Sequence, residues 1–211
     1  QYPADQAHLF TVQVGRMGYT SGAEAASGIP KIEAVKGQRI TARLVGEFEW
    51  SLFQRGYDGV RVDWRRRGLQ ATAAALRPTQ GGFEDSANRS ISGIDLLLGA
   101  VTFQPATVVP RTQWQLFAYR YDDDRPVSAR PDNSGLSAGR TDAAIATFGS
   151  TLVGAYTTGP GELDATLWLA GQTGTWYGQQ HRAASVAAEV GYEWTKAKWR
   201  PWVRAGLLRA S

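Results

Sequence analysis

Arg61, Asp63 and Arg65 alternate with Val60, Val62 and Trp64 in the stretch GYDGVRVDWRRRG (56–68), which two more arginines and a glycine close. A guanidinium fork holds carboxylate or phosphate bidentately, as an ammonium group does not. A carboxylate on the same face tempers that hold. The chemistry offered is reversible binding of anions on one face of a strand whose other face is apolar. A soluble sheet shows this alternation with one face on a core and the other in water. A transmembrane β-barrel shows it with apolar residues toward lipid and polar ones toward a wet lumen.

The basic residues are 19 arginines and 4 lysines. Apart from the run Arg65–Arg67 they are scattered singly rather than gathered in a patch, which argues against nucleic acid as a partner. Cysteine is absent, so there is no disulfide framework and no thiolate metal site. His8 and His181 stand far apart with no motif around them, and no serine lies in a G-x-S-x-G elbow. No catalytic residue, cofactor or metal is expected. The acidic run Asp122–Asp124 reads as a solvated loop, with a calcium cage of carboxylate oxygens as the alternative.

Which elements would hold these groups in place? Helical periodicity is nearly absent, SGAEAAS (21–27) being the one helix-like stretch. Strand-like segments follow one another at 8–17, 57–66, 69–78, 92–104, 112–121, 143–157, 162–173, 183–194 and 199–210, with 39–50 as an extra hairpin arm. Most have the length a tilted strand needs to cross a bilayer. No apolar run is long enough for a transmembrane helix. The expected fold is all-β, an antiparallel up-and-down transmembrane β-barrel with 9–10 strands present. Residues 1–211 read as a single barrel domain, incomplete at both ends.

The connections 18–56, 79–91 and 122–142 are long, 174–182 is intermediate, and 67–68, 105–111, 158–161 and 195–198 are shorter. Long and short alternate, which puts long loops at one end of a meander and tight turns at the other. Trp64, Phe103, Trp114, Tyr156, Trp194, Trp199 and Trp202 lie near the short turns, and Tyr57, Tyr119, Tyr121, Trp176 and Tyr177 near the long loops. These read as two interfacial aromatic girdles. Three strands show clear faces: Ile94, Leu96, Leu98 and Ala100 against Asp95; Leu163, Ala165, Leu167 and Leu169 against Asp164; Ala184, Val186, Ala188 and Val190 against Glu189. Each apolar set is assigned to lipid, and the faces of 143–157 stay unassigned.

In order along the chain, VGRMGY (14–19), GYDGVRVDWR (56–65), AALRP (74–78), LLLGAVTFQP (96–105), LFAYRYDDD (116–124), AAEVGYEW (187–194) and RPWVRAGLLRAS (200–211) resemble the alginate export family of outer-membrane β-barrels. The resemblance implies an 18-stranded barrel whose arginine-lined lumen passes an anionic uronate polysaccharide. The chain departs from that pattern in carrying roughly half the strands, in lacking a terminal aromatic, and in having Thr166 where an acidic residue is expected.

On this reading Arg61, Arg65, Arg204 and Arg16 line the lumen with Asp63, Asp95, Asp164 and Glu189, and Arg77, Arg89, Arg120 and Arg182 form the outer vestibule. Arg66 and Arg67 are turn residues at the opposite rim. A passing polymer needs cations that replace water around each carboxylate, weakly and repeatedly enough for the chain to slide on. The expected partners are an anionic polysaccharide, outer-membrane lipid and a periplasmic secretion partner, in the bacterial outer membrane. Two alternatives stand: a less selective porin for small anions or sugar acids, and a soluble β-rich domain that binds acidic glycans.

Overall fold

A computed structural model describes residues 8–49, 51–105, 109–125 and 142–211. Nine strands form one sheet in the order of the chain: β1 (His8–Met17), β2 (Tyr57–Arg66), β3 (Leu69–Pro78), β4 (Ile94–Phe103), β5 (Thr112–Asp123), β6 (Ala143–Thr158), β7 (Gly161–Trp176), β8 (Gln179–Glu193) and β9 (Trp202–Ala210). Every neighbouring pair is antiparallel, so the sheet is an up-and-down meander with β1 and β9 at its edges. This is a partial β-barrel. Among the described residues no helix is long and apolar enough to cross a membrane, which leaves strands free to do so.

The long first connection, 18–56, carries the helix α1 (Pro30–Arg39) and lies against one face of the sheet. SGAEAAS is not helical. The carbonyls of Glu24 and Ala25 accept hydrogen bonds from Arg61, Gln70, Lys36 and Gln113, so they are not available to a helix ladder. The helix starts instead at Pro30, where the fixed φ of proline suits the first turn and its missing N–H costs nothing. Ile32 and Val35 are spaced for one face and are buried. Residues 39–49 show no hairpin arm; after α1 they run as turns and bends.

The two faces of the sheet therefore differ. On the covered face, Leu76, Leu96, Leu98, Ala100, Phe117, Tyr119, Val153 and Trp168 pack with Tyr19, Ile32, Val35 and Ile40 of the inner segment. Phe117 stacks on Tyr119 at 5.1 Å and on Trp168 at 6.4 Å between ring centroids. The bare face shows Phe10, Val12, Val14, Val60, Leu97, Phe148, Leu169 and Val190, all exposed. The face assignments of β7 and β8 stand, with Leu163 to Leu169 and Ala184 to Val190 bare and Asp164 and Glu189 covered. The assignment of β4 reverses. Ile94, Leu96, Leu98 and Ala100 lie on the covered face, because the inner segment needs an apolar surface to pack on.

The alternation of loop lengths holds only in part. The β7–β8 connection, at the long-loop end, is Tyr177–Gly178, because both strands run further than their composition suggests. At the other end β2–β3 and β6–β7 are tight, while β4–β5 and β8–β9 take longer turns.

Candidate functional site

The covered face gathers charge under the inner segment. Arg61 donates to Asp63 through Nε (2.8 Å) and Nη2 (3.0 Å), and Nη2 also reaches the Glu24 carbonyl. Asp63 accepts a further 2.6 Å hydrogen bond from Thr72 and one from Gln70. Arg65 shares this face near the Arg67–Gly68 turn, with its buried Nε unpartnered among the described residues.

Glu24 is the second centre. Its carboxylate is buried and accepts from the hydroxyls of Tyr19 and Tyr119 at 2.8 Å each and from Gln115 Nε2 at 3.0 Å. These three bonds replace the water that an ionised carboxylate loses on burial. Burial and the neighbouring Glu24 charge push the Tyr19 hydroxyl far above its ordinary range, so it stays a donor. Nearby, burial pulls the Lys36 amine below its ordinary value against the opposing charge of Glu33, and its Nζ donates to the Ala25 carbonyl at 2.7 Å. Burial alone would raise Glu33, but hydrogen bonds with Ser27 and the charge of Lys36 outweigh it and hold the carboxyl low.

The third centre lies under α1 at β7–β9. Lys31 Nζ contacts Glu193 at 2.6 Å and Asp164 at 3.5 Å; Arg204 Nη2 contacts Asp164 at 2.9 Å; Arg39 reaches Glu189 at 3.3 Å. Arg200 joins from the β8–β9 turn, 2.6 Å from Glu193. Among the described residues Arg204 keeps Nε and Nη1 buried without a hydrogen-bond partner, Nη1 standing 3.8 Å from Glu189. A cavity of about 480 Å³ opens here, lined by Lys31, Arg39, Arg200, Trp202 and Arg204. It is a cleft that can take an anion beside an aromatic ring.

The inner segment thus crosses the covered face from β2 to β8, held by ion pairs and hydrogen bonds at both ends. Of the expected lumen residues, Arg61, Asp63, Arg65, Asp164, Glu189 and Arg204 share this face. Arg16 and Asp95 do not. Arg16 pairs in register with Asp58 on the bare side, and Asp95 bonds Arg77 there. Arg120 and Arg182 are also on the bare side, and exposed Arg89 lies in the β3–β4 connection, so four residues expected in a vestibule are not gathered into one.

The girdle divides as well. Trp64, Trp114 and Tyr156 lie on the bare side near the tight turns, where Trp114 Nε1 donates to Ser150 Oγ at 2.8 Å. Trp194 and Trp199 sit in the β8–β9 turn. Trp202 faces the covered side, in register with Glu193. The second girdle is not formed by Tyr57, Tyr119 and Tyr121, which turn to the covered side and bond Gly46, Glu24 and Asp123. Asp122 and Asp123 point to opposite faces and engage Arg120 and Arg125, which removes the calcium cage. Among the described residues no cluster of metal-ligating side chains occurs.

Glu24, Lys31 and Arg39 were not singled out from sequence. Their signal is Pro30 opening an Ile32/Val35 helix between charged residues inside a long connection.

A family model described as alginate export matches residues 10–211. No curated protein and no solved structure matched.

Proposed function

The chain belongs to the alginate export family, a family of outer-membrane transport proteins, and from that premise we propose that it forms a channel for an anionic uronate polysaccharide. The observation that carries this reading is the division of charge between the faces. Arg61, Arg65, Arg204, Lys31 and Arg39 with their acidic partners sit on or against the covered face, while the strand centres of the bare face show aliphatic and aromatic side chains. The covered face is the lumen and the bare face meets lipid. So much exposed aliphatic surface is a liability for a soluble glycan-binding domain.

Polysaccharide carboxylates would meet Arg204, Arg200 and Lys31 in the cleft beside Trp202, each already shared with Asp164 or Glu193. Sharing weakens each contact, so that a polymer moves on rather than stays. The unpaired edges β1 and β9 are costly in lipid, so the reading requires further strands to close the sheet. A periplasmic secretion partner would deliver the polymer.

A second reading, a porin for small anions or sugar acids, is favoured by one observation: the docked inner segment covers the face from β2 to β8. Flux separates the two. The complete protein is reconstituted in liposomes loaded with labelled polymannuronate and, separately, with a labelled monouronate. Export of both supports the polysaccharide channel; export of the monouronate alone supports the porin.

A further inference from the structure

We propose that the bare faces of β2–β6 form a site for one phosphorylated, multiply acylated glycolipid of the outer leaflet. The proposal rests on the channel reading in one respect, that this face meets lipid.

The headgroup end is a row of charges. Arg16, Asp58, Arg77, Asp95 and Asp122 occupy one register across β1–β5 at the long-loop end, with Arg120 two residues from Asp122 on β5. Long loops belong to the extracellular end of such barrels. Arg16 Nε meets Asp58 at 2.8 Å, Arg77 Nη2 meets Asp95 at 2.9 Å and Arg120 Nε meets Asp122 at 2.7 Å. Arg16 spends its remaining nitrogen on Asn88. Among the described residues Arg77 and Arg120 bond through Nε and Nη2 to their aspartates, so the pairs orient each fork and leave Nη1 for a ligand.

Asp95 and Asp122 stand directly opposite one another across β4 and β5. Like charges so placed are unfavourable, and each is held by an arginine, Asp95 by Arg77 and Asp122 by Arg120. A layer of lipid phosphates bridged by divalent cations answers both features. Phosphates meet the arginines, and the cations of the same layer lie beside the aspartates.

The acyl end is a trough directly below. Ala73, Gly99 and Ala118 are in register across β3, β4 and β5 and form a floor of minimal side chains. Val62 flanks that row on β2 and Phe148 on β6. The trough holds about 670 Å³ and begins at Arg120. From Asp58 to Val62 the strand rises roughly 13 Å at the ordinary rise per residue, a length that suits the upper part of a saturated acyl chain in one leaflet. Its width across three strands suits more than one. A single-chain amphiphile would leave floor uncovered, and a lipid without phosphate would leave the forks unused.

The test is native mass spectrometry of the complete protein in mild detergent. It is titrated with a diphosphorylated hexa-acylated disaccharide lipid, with the same lipid dephosphorylated, and with inorganic phosphate. The expected result is one molecule of the phosphorylated lipid bound per chain. Affinity should fall roughly tenfold or more in Arg77→Ala/Arg120→Ala, the loss of a charge-assisted hydrogen bond or two, and comparably in Ala118→Leu, which fills the trough. Leu167→Val, on the bare face of β7, serves as the control and should bind as the parent does. Equal affinity in all variants, equal binding of the dephosphorylated lipid, or displacement by inorganic phosphate would overturn the proposal. Heat-modifiable migration and channel current are read on the same samples. Protein that folds and conducts but shows no such selectivity sinks the lipid site alone, whereas protein that neither inserts nor conducts sinks the channel reading beneath it.

Discussion

The hydroxyl of Tyr119 on β5 donates a 2.8 Å hydrogen bond to the carboxylate of Glu24, 95 residues earlier in the inner segment. With the matching bond from Tyr19 it fixes the only carboxylate that the segment buries against β5 among the described residues. A hydrogen bond to a charged group contributes about 1.5–3 kcal/mol. Tyr119→Phe and Glu24→Gln should each loosen the segment, seen as faster tryptic cleavage after Arg39 or Arg43 in reconstituted protein and as more frequent large-current openings.

Ion pairs hold the other end of the segment. Lys31 bridges Glu193 and Asp164, and Arg39 meets Glu189, all partly buried. Salt weakens such pairs, though less than exposed ones. Opening frequency should therefore rise with ionic strength in the parent protein. Lys31→Met should open more often at low salt and respond less to added salt, as single-channel records at two salt concentrations would show.

Two arginines of the same face should differ in what they do. Arg61 has its Nε and Nη2 committed to Asp63 and the Glu24 carbonyl, whereas Arg204 lines the cleft and makes one hydrogen bond among the described residues, from Nη2 to Asp164. Arg204→Ala should lower anion-over-cation selectivity several-fold, on the order of the 1.4 kcal/mol that a tenfold change represents. Arg61→Ala should act mainly on stability. Reversal potentials in a salt gradient and thermal melts of both variants check the distinction.

Gly149 on β6 is a packing requirement. A Cβ there would collide with the ring of Phe117 and with the carbonyl of Leu169 on β7. One neighbour is a backbone atom in the ladder, so the strain has no cheap relief. Gly149→Ala should cost about 1–3 kcal/mol and lower the temperature at which the heat-modifiable band is lost.

Acid should undock the helix. Glu33 is held below its ordinary 4.5 in the docked state, so its contribution is full above that value and is lost as pH falls through the lowered one. Lys36 is shifted down from 10.5, so the undocked segment binds more protons and docking strengthens as pH rises toward 10.5. Both push the same way. Tryptic accessibility of α1 should increase as pH is lowered, most steeply below about 4.5, and Glu33→Gln should flatten that steep part.

The strands were legible in the sequence because their period-2 pattern survives wherever one face is polar. β1, β2 and β3 fall where Val60, Val62 and Trp64 and their neighbours place them. The faces of β7 and β8 were equally plain from Asp164 and Glu189. β4 was not, since IDLLLGAVTF is apolar on both sides: Leu97 and Val101 face outward while Leu96 and Leu98 meet the inner segment. Parity cannot tell a lipid-facing leucine from one under a plug. The same limit misplaced Arg16 and Asp95, which are charged yet outward because they sit at strand ends. The inner segment itself lacked a strong signal, since Glu24 draws its hydrogen bonds from residues as distant as Gln115 and Tyr119.

The central claim is that the covered face conducts an anionic polymer. Its most direct test is single-channel current through the complete protein in a planar bilayer under a salt gradient, before and after adding polymannuronate. The account predicts an anion-selective current that the polymer interrupts in discrete events, with shorter events in Arg204→Ala. An anion-selective current that polymannuronate leaves uninterrupted, or folded protein that carries no current, would contradict it.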